Sequence, residues 1–564
     1  MFTIPFLNIF KKEHTIKPTV LVVLDGFGQA PASQGNAVEL AKTPHIDYFR
    51  EHYPNGALIA SGEAVGLPTN EVGNTEVGHL TIGAGRVILQ DLKRINLAIE
   101  NGTFYDNKVL GDVVTHIQKN NSRLHILGLI SSGKVHSSID HLYALLHFAK
   151  EQHISEVFIH AFTDGRDAPP KEAAEVISKL EKFCDTLGVG KIASVSGRYY
   201  AMDRDRRWPR IKKTYMALVE GLGPTAKNAD EAIKNAYAKG QSDEFIEPTL
   251  IVGDGTVKPT IMDNDAVIYF NYRTDRAKQL TMAIALPDFE HLQNFDFGYD
   301  ALTNKKVEGV SDPTFIRSKI VKNLFFVTMT EYQKNLPISG VLFGSEIVET
   351  PLCEVLSKAN FMQMHMAESE KEKFVTFYFD GLRESFQPGE ETAIIPSPKV
   401  ATYDQKPQMS LPQLVKEFKR RLSKDTYHFF LLNFANADMV AHTGNLSAAI
   451  RAIETIDKEL NDLVNHTLRY NGTVIITADH GNAEEMLTFP SSTFFYTSQS
   501  GIVNTDHSNN PVPVFIIRND LFDIKVPIGK GQLSDVAPTI LNIIGLPVPA
   551  VMTGKNLLAG LNLK

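Results

Sequence analysis

The chain has little cysteine. Among 564 residues only Cys184 and Cys353 occur, far apart and without a CxxC pair, which excludes a disulfide framework and fits a reducing compartment. No apolar run approaches the ~20 residues needed to span a bilayer. Basic charge is not in excess: 57 Lys and Arg stand against 65 Asp and Glu, a balance that argues against a general nucleic-acid binder. The phosphate loop GxxxxGK[ST] is missing, because Gly188-Val189-Gly190-Lys191 lacks both the leading glycine and the following Ser or Thr. There is no HExxH helix. Asp25-Gly26-Phe27-Gly28 has the letters of a kinase metal motif, but no HRD loop accompanies it. Internal repeats and low-complexity tracts are also lacking.

What is present is ordinary globular composition, 43% hydrophobic and 22% charged. Single cores stop growing near ~250–300 residues, so this length predicts two or more domains. Residues 1–10 are apolar with Lys11 and Lys12 behind them. A secretory signal puts its charge first, so the start reads as a terminal extension. Short apolar β-rich runs alternate with helical patterns, which predicts an α/β architecture with parallel sheets. Three runs end alike. Thr19–Leu24 leads into Asp25, His428–Phe434 into Asp438, and Thr473–Thr477 into Asp479-His480. Ligands of open α/β sheets bind beyond the carboxyl ends of strands, so these acids are expected on one rim. Asp25 lies about 400 residues before Asp438. The sheet is therefore expected from both ends of the chain, residues 1–90 and 346–564. Residues 91–345 are expected to form an inserted α/β domain, with strand-like runs at 124–130, 156–162 and 266–271.

The terminal segments concentrate acid and imidazole. Asp438 and His442 are four apart, neighbours on one helical face. Asp479 and His480 adjoin, and His507 lies in a polar loop. Carboxylates with imidazoles suit manganese or zinc better than magnesium. In Gly73-Asn74-Thr75-Glu76-Val77-Gly78-His79 a hydroxyl stands at the start of a helix-compatible segment, either as a plain N-cap or, beside a metal, as a nucleophile. The middle of the chain gathers Arg166-Asp167, Arg198, Arg204, Arg273 and Arg276, whose forks match phosphate and carboxylate oxygens. Arg206, Arg207 and Arg210 read as a solvated helix face.

These motifs, together with ASGEAVGLP from Ala60, HAFTDGRDAPP from His160, SVSGRYYAMDRD from Ser194, IPSPKVATYD from Ile395, NFANADMVAHTG from Asn433 and ITADHGNAE from Ile476, resemble the cofactor-independent phosphoglycerate mutases of the alkaline phosphatase superfamily. The likeness runs from Val20 to about Leu558. It implies an alkaline-phosphatase-like metal-binding domain, 1–90 with 346–564, and an inserted substrate-binding domain, 91–345. It implies one manganese on Asp438, His442 and His507, and a second on Asp25, Thr75, Asp479 and His480, with zinc, cobalt or magnesium as alternatives. It implies substrate contacts from His136, Arg166, Asp167, Arg198, Arg204, Arg273, Arg276 and Lys371. The expected reaction interconverts 3- and 2-phosphoglycerate in glycolysis and gluconeogenesis through phospho-Thr75, without 2,3-bisphosphoglycerate. Asp167 is the expected acid/base, and a cytoplasmic monomer is expected.

Three departures stand out. The family's GNSEVGH serine is Thr75, the second histidine of GGVHSH is Ser138, and the 482–504 loop is longer than usual. The alternatives are another superfamily enzyme, a phosphopentomutase or a phosphatase, and a non-catalytic metal-binding interaction protein.

Overall fold

The computed structural model describes residues 15–253, 258–294, 314–488, 501–524 and 526–560. The apolar start and most of the long 482–504 loop lie outside them. Contacts divide the chain into two compact units: Met1–Gln90 with Glu346–Lys564, and Asp91–Ser345.

The first unit is built on an eight-stranded sheet. Its order is Glu390–Ile395, Gln363–Glu368, Phe429–Phe434, Thr19–Leu24, Thr473–Thr477, Val512–Ile517, Asn55–Ile59 and Gly529–Gln532. The central strand TVLVVL is buried at every residue, as expected where helices cover both faces. It is parallel to Phe429–Phe434 on one side and Thr473–Thr477 on the other. The expected parallel pairing holds at the centre, but the sheet is mixed: Val512–Ile517 runs antiparallel to both neighbours. The 23-residue helix Leu446–Leu468 lays an apolar stripe, including Ile453, Ile456, Leu460 and Leu463, into this core.

The second unit has its own eight-stranded sheet, ordered Gly340–Phe343, Phe325–Thr330, Ala266–Tyr269, Leu124–Leu129, Val157–Thr163, Lys191–Gly197, Thr249–Ile251 and Thr225–Ala226. Here Thr249–Ile251 pairs antiparallel with Lys191–Gly197. Side chains alternate across a strand, and the alternation splits the core in two. Leu124, Ile126, Ala266 and Ile268 join one apolar cluster, while Leu127, Leu129, Val267 and Tyr269 join another around fully buried Trp208. Among the described residues no helix is long and apolar enough to cross a membrane.

Candidate active site

In the first unit three parallel strands deliver Asp25, Asp438 and Asp479 to the same rim. All three acids are buried, and each is set by local structure. Gly26 follows Asp25 with φ +71°, and a Cβ there would lie 2.8 Å from the Asp438 Cα, so a side chain would push the two strand ends apart. Asp438 enters the short helix Asn436–Ala441, which brings His442 Nε2 to 3.1 Å from its Oδ1. His507 Nε2 lies 3.4 Å from the same oxygen and 3.2 Å from His442 Nε2. His480 Nε2 lies 3.4 Å from Asp25 Oδ1 and 4.0 Å from Asp438 Oδ1.

Thr75 is the first residue of the helix Thr75–Ala84. The cap is its neighbour Asn74, whose side chain accepts from the Val77 amide, so the plain N-cap reading of Thr75 gives way. The Thr75 hydroxyl is thereby free to face the acids. Its Oγ1 lies 3.0 Å from His480 Nε2, 3.3 Å from Asp25 Oδ1 and 3.1 Å from Lys371 Nζ. Gly78 lets this helix close on the rim, since a Cβ there would meet the Asp479 Cβ at 2.6 Å.

Lys371 is buried, and its ammonium donates to Asp25 Oδ1 and Asp438 Oδ2, both at 2.8 Å. Burial would lower its pKa, but Asp25 and Asp438 raise it well above the ordinary lysine value. The same acids act on His480. Burial opposes its charge, yet Asp479, Asp25 and Asp438 push it up to about 10.

The donor set fits divalent cations. Three buried carboxylates converge with three imidazole Nε2 atoms, and among the described residues Lys371 is the one lysine hydrogen-bonded to these acids. His442 Nδ1 faces the Thr505 carbonyl at 2.7 Å and His507 Nδ1 the Gly73 carbonyl at 2.9 Å. With the ring protons held there, the two Nε2 atoms 3.2 Å apart are both acceptors, which a cation between them satisfies. Asp438, His480 and His507 form one potential ligand group, and Asp25, His79 and Asp479 another.

Several residues of this network are not site candidates by sequence. His79 lies 3.2 Å from Asp479 Oδ2 through Nδ1, which also faces the Thr75 carbonyl at 3.0 Å. Its i+4 spacing from Thr75 is the signal that could have exposed it. Asn433 donates to Asp25 Oδ2 at 2.7 Å and Asn482 to Asp438 Oδ1 at 2.9 Å. Glu484 is a clasp. Its carboxylate accepts the amides of Gly28 and Asn482, the Ser508 hydroxyl and the Asn510 side-chain amide, joining the loops after Asp25, His480 and His507.

The second unit assembles a basic cluster at its own strand ends. Arg198, buried, donates to Asp164 at 2.7 Å and to Asp167 at 2.5 Å, and lies 3.0 Å from His136 Nε2. Asp275 binds Arg204 at 3.1 Å and lies 3.3 Å from Arg273 Nε. Arg276 donates to the Met202 carbonyl. Arg166 is half exposed, 3.8 Å from Glu244. Burial alone would raise the Asp167 carboxyl, but the hydrogen-bonded Arg198, with His136 and Arg166, holds it below the usual range. Burial and the Arg198 charge push His136 down to about 4. Asp164 and Asp275, missed by sequence, orient these arginines. Arg210 is structural: it bonds Asp203 and stacks 3.7 Å over the Tyr199 ring.

Residues 95–334 match the family model "BPG-independent PGAM N-terminus". The chain is 45% identical over 542 residues to the 2,3-bisphosphoglycerate-independent phosphoglycerate mutase of Clostridium beijerinckii, covering 96% of this chain and 99% of that one. It is 44% identical to phosphoglycerate mutase 2 of the same type from Methanosarcina barkeri, covering 96% and 98%. A solved structure of Leishmania mexicana phosphoglycerate mutase at low cobalt concentration superposes with a TM-score of 0.61 at 28% identity, over 97% of this chain and 98% of that one. The chain therefore belongs to the family of 2,3-bisphosphoglycerate-independent phosphoglycerate mutases.

Proposed function

We propose that the chain interconverts 3-phosphoglycerate and 2-phosphoglycerate through a phosphoryl group carried on Thr75. The observation that carries this reading is the Thr75 hydroxyl, held within 3.3 Å of Asp25, His480 and Lys371 at a rim of cation-binding side chains. Asp438, His442 and His507 would hold one divalent ion, and Asp25, Asp479 and His480 a second beside Thr75, with manganese the expected metal. Bound there, such ions lower the pKa of a hydroxyl and neutralise phosphoryl oxygens.

Thr75 Oγ1, deprotonated, attacks phosphorus as the bond to the C3 oxygen breaks. Lys371, already bonded to Asp25 and Asp438, supplies positive charge to the phosphoryl oxygens. Arg204, Arg273 and Arg276 offer forks for the glycerate carboxylate and phosphate. Asp167, kept ionised by Arg198, takes the proton of the C2 hydroxyl and passes it to the departing C3 oxygen, so Asp167 ends ionised and the proton count is unchanged. The C2 oxygen then removes the phosphoryl group from Thr75. Holding the glycerate away from water throughout prevents hydrolysis. In a cell this reaction serves glycolysis and gluconeogenesis.

The test is a coupled assay without 2,3-bisphosphoglycerate, run on chelated and manganese-restored protein. Turnover of 3-phosphoglycerate is expected only in the restored sample. Turnover of ribose 1-phosphate in its place would favour a phosphopentomutase.

A further inference from the structure

One buried polar cluster of the first unit shares no residue with the candidate active site. Cys353 lies on the helix Leu352–Lys358, Asp380 follows the short π-helix Phe374–Tyr378, and Glu390 opens the strand Glu390–Ile395. The Cys353 Sγ and one carboxylate oxygen from each acid lie within 4.8 Å of one another. His365, on the neighbouring strand Gln363–Glu368, points its Nδ1 at the same place, 3.6 Å from Glu390 Oε1 and 3.8 Å from Asp380 Oδ1. The side chains of His365 and Glu390 are 0% exposed and that of Asp380 is 2%.

The acids are short of donors. Asp380 Oδ1 and Glu390 Oε1 are buried with no amide, hydroxyl or guanidinium donating to them, so that they face each other and the Cys353 thiol, and His365 Nε2 is buried without a partner. Arg383 does not fill the gap: it donates to the backbone carbonyls of Val348 and Asp380 and to Glu354. Two carboxylate oxygens facing each other in a dry core repel unless a proton or a cation sits between them. The side-chain types favour a cation. Thiolate, imidazole and carboxylate are the three protein ligands of zinc, with bonds near ~2.0–2.3 Å, so tetrahedral ligand atoms lie about 3.3–3.8 Å apart. The His365 separations fall in that span.

We propose that Cys353, Asp380 and Glu390, completed by His365, form a structural site for a zinc-class divalent cation. His365 Nδ1 faces the Val375 carbonyl at 2.7 Å and would exchange that bond for the metal. The ion would pin the helix Leu352–Lys358 and the head of the strand Glu390–Ile395 to the strand Gln363–Glu368, whose far end leads to Lys371. Without it, burial pushes the Cys353 thiol and the Asp380 carboxyl up, so protons would hold the cluster together instead.

Cobalt(II) separates the alternatives, because a thiolate bound to cobalt gives a near-ultraviolet charge-transfer band. The candidate active site contains no sulfur. Full-length protein loaded with cobalt is expected to show the band, keep it in Cys184→Ala, and lose it in Cys353→Ala together with one cobalt per chain by elemental analysis. Cys353→Ala is expected to keep its phosphoglycerate turnover. Should that variant fail to fold, Asp380→Asn is expected to lower the cobalt content and shift the band. No band in folded wild-type protein, a band that survives Cys353→Ala, or unchanged metal content and band in Asp380→Asn would overturn the proposal.

Discussion

Position 75 carries a threonine, and its two γ substituents act separately. The oxygen takes the contacts with Asp25, His480 and Lys371. The methyl stiffens χ1 and crowds the line of attack. Thr75→Ala should abolish turnover, a loss beyond the ~10²–10⁴-fold typical of removing an acid/base group. Thr75→Ser should stay active, and acid-quenched wild-type enzyme given labelled substrate should carry phosphothreonine. Label on another residue would remove Thr75 from the mechanism. Lys371 is the second decisive residue, because its ammonium is hydrogen-bonded to both Asp25 and Asp438. Lys371→Met strands buried carboxylates, and removing one partner of such a pair costs roughly 3–5 kcal/mol. The variant should melt lower than wild type in a chelator and regain much of the difference when manganese is added, as followed by calorimetry.

Loops and strands give a further pair of tests. Glu484 ties the loops bearing Asp25, His480 and His507. Glu484→Gln turns a donor toward groups that themselves donate, and should weaken metal affinity by about 10–100-fold, measured by manganese titration. In the second unit a buried chain crosses three strands: Asp265 to His125 at 3.1 Å, His125 to His160 at 2.9 Å, and His160 to Ser194 at 2.8 Å. Burial holds both imidazoles below their ordinary 6.5. The unfolded chain therefore binds protons that the folded unit refuses. Its stability is full above about pH 6.5 and is lost as pH falls below it. Denaturant midpoints should drop between pH 7.5 and 5.5, and His160→Gln should flatten the slope. Legibility in the sequence follows from the same physics. Strands such as TVLVVL announce themselves because both faces are apolar, and an Asp at the end of each is conspicuous. Asp164, Asp275, Asn433 and Glu484 are ordinary polar letters whose importance arises only when distant segments meet. The antiparallel Val512–Ile517 was equally hidden, since a strand's direction is fixed by its connections and not by its composition.

Over the whole molecule, two units, each built around apolar clusters of its own, should unfold as two cooperative events. The candidate metal ligands belong to the discontinuous unit alone. Chelation should therefore lower one calorimetric transition and leave the other in place, since a ligand stabilises only the state that binds it. A single transition shifting as one would contradict that independence. The central strand Thr19–Leu24 has a further consequence. Its two partners, Phe429–Phe434 and Thr473–Thr477, are translated long after it. At ~5–20 residues per second, roughly 20–80 seconds separate the emergence of Leu24 from that of Phe429. During that interval a wholly buried apolar strand waits without its two partners, while the residues of the second unit, Asp91–Ser345, come out in one stretch and can fold. Nascent chains should therefore engage ribosome-associated chaperones through the strand Thr19–Leu24 until its partner Thr473–Thr477 has emerged.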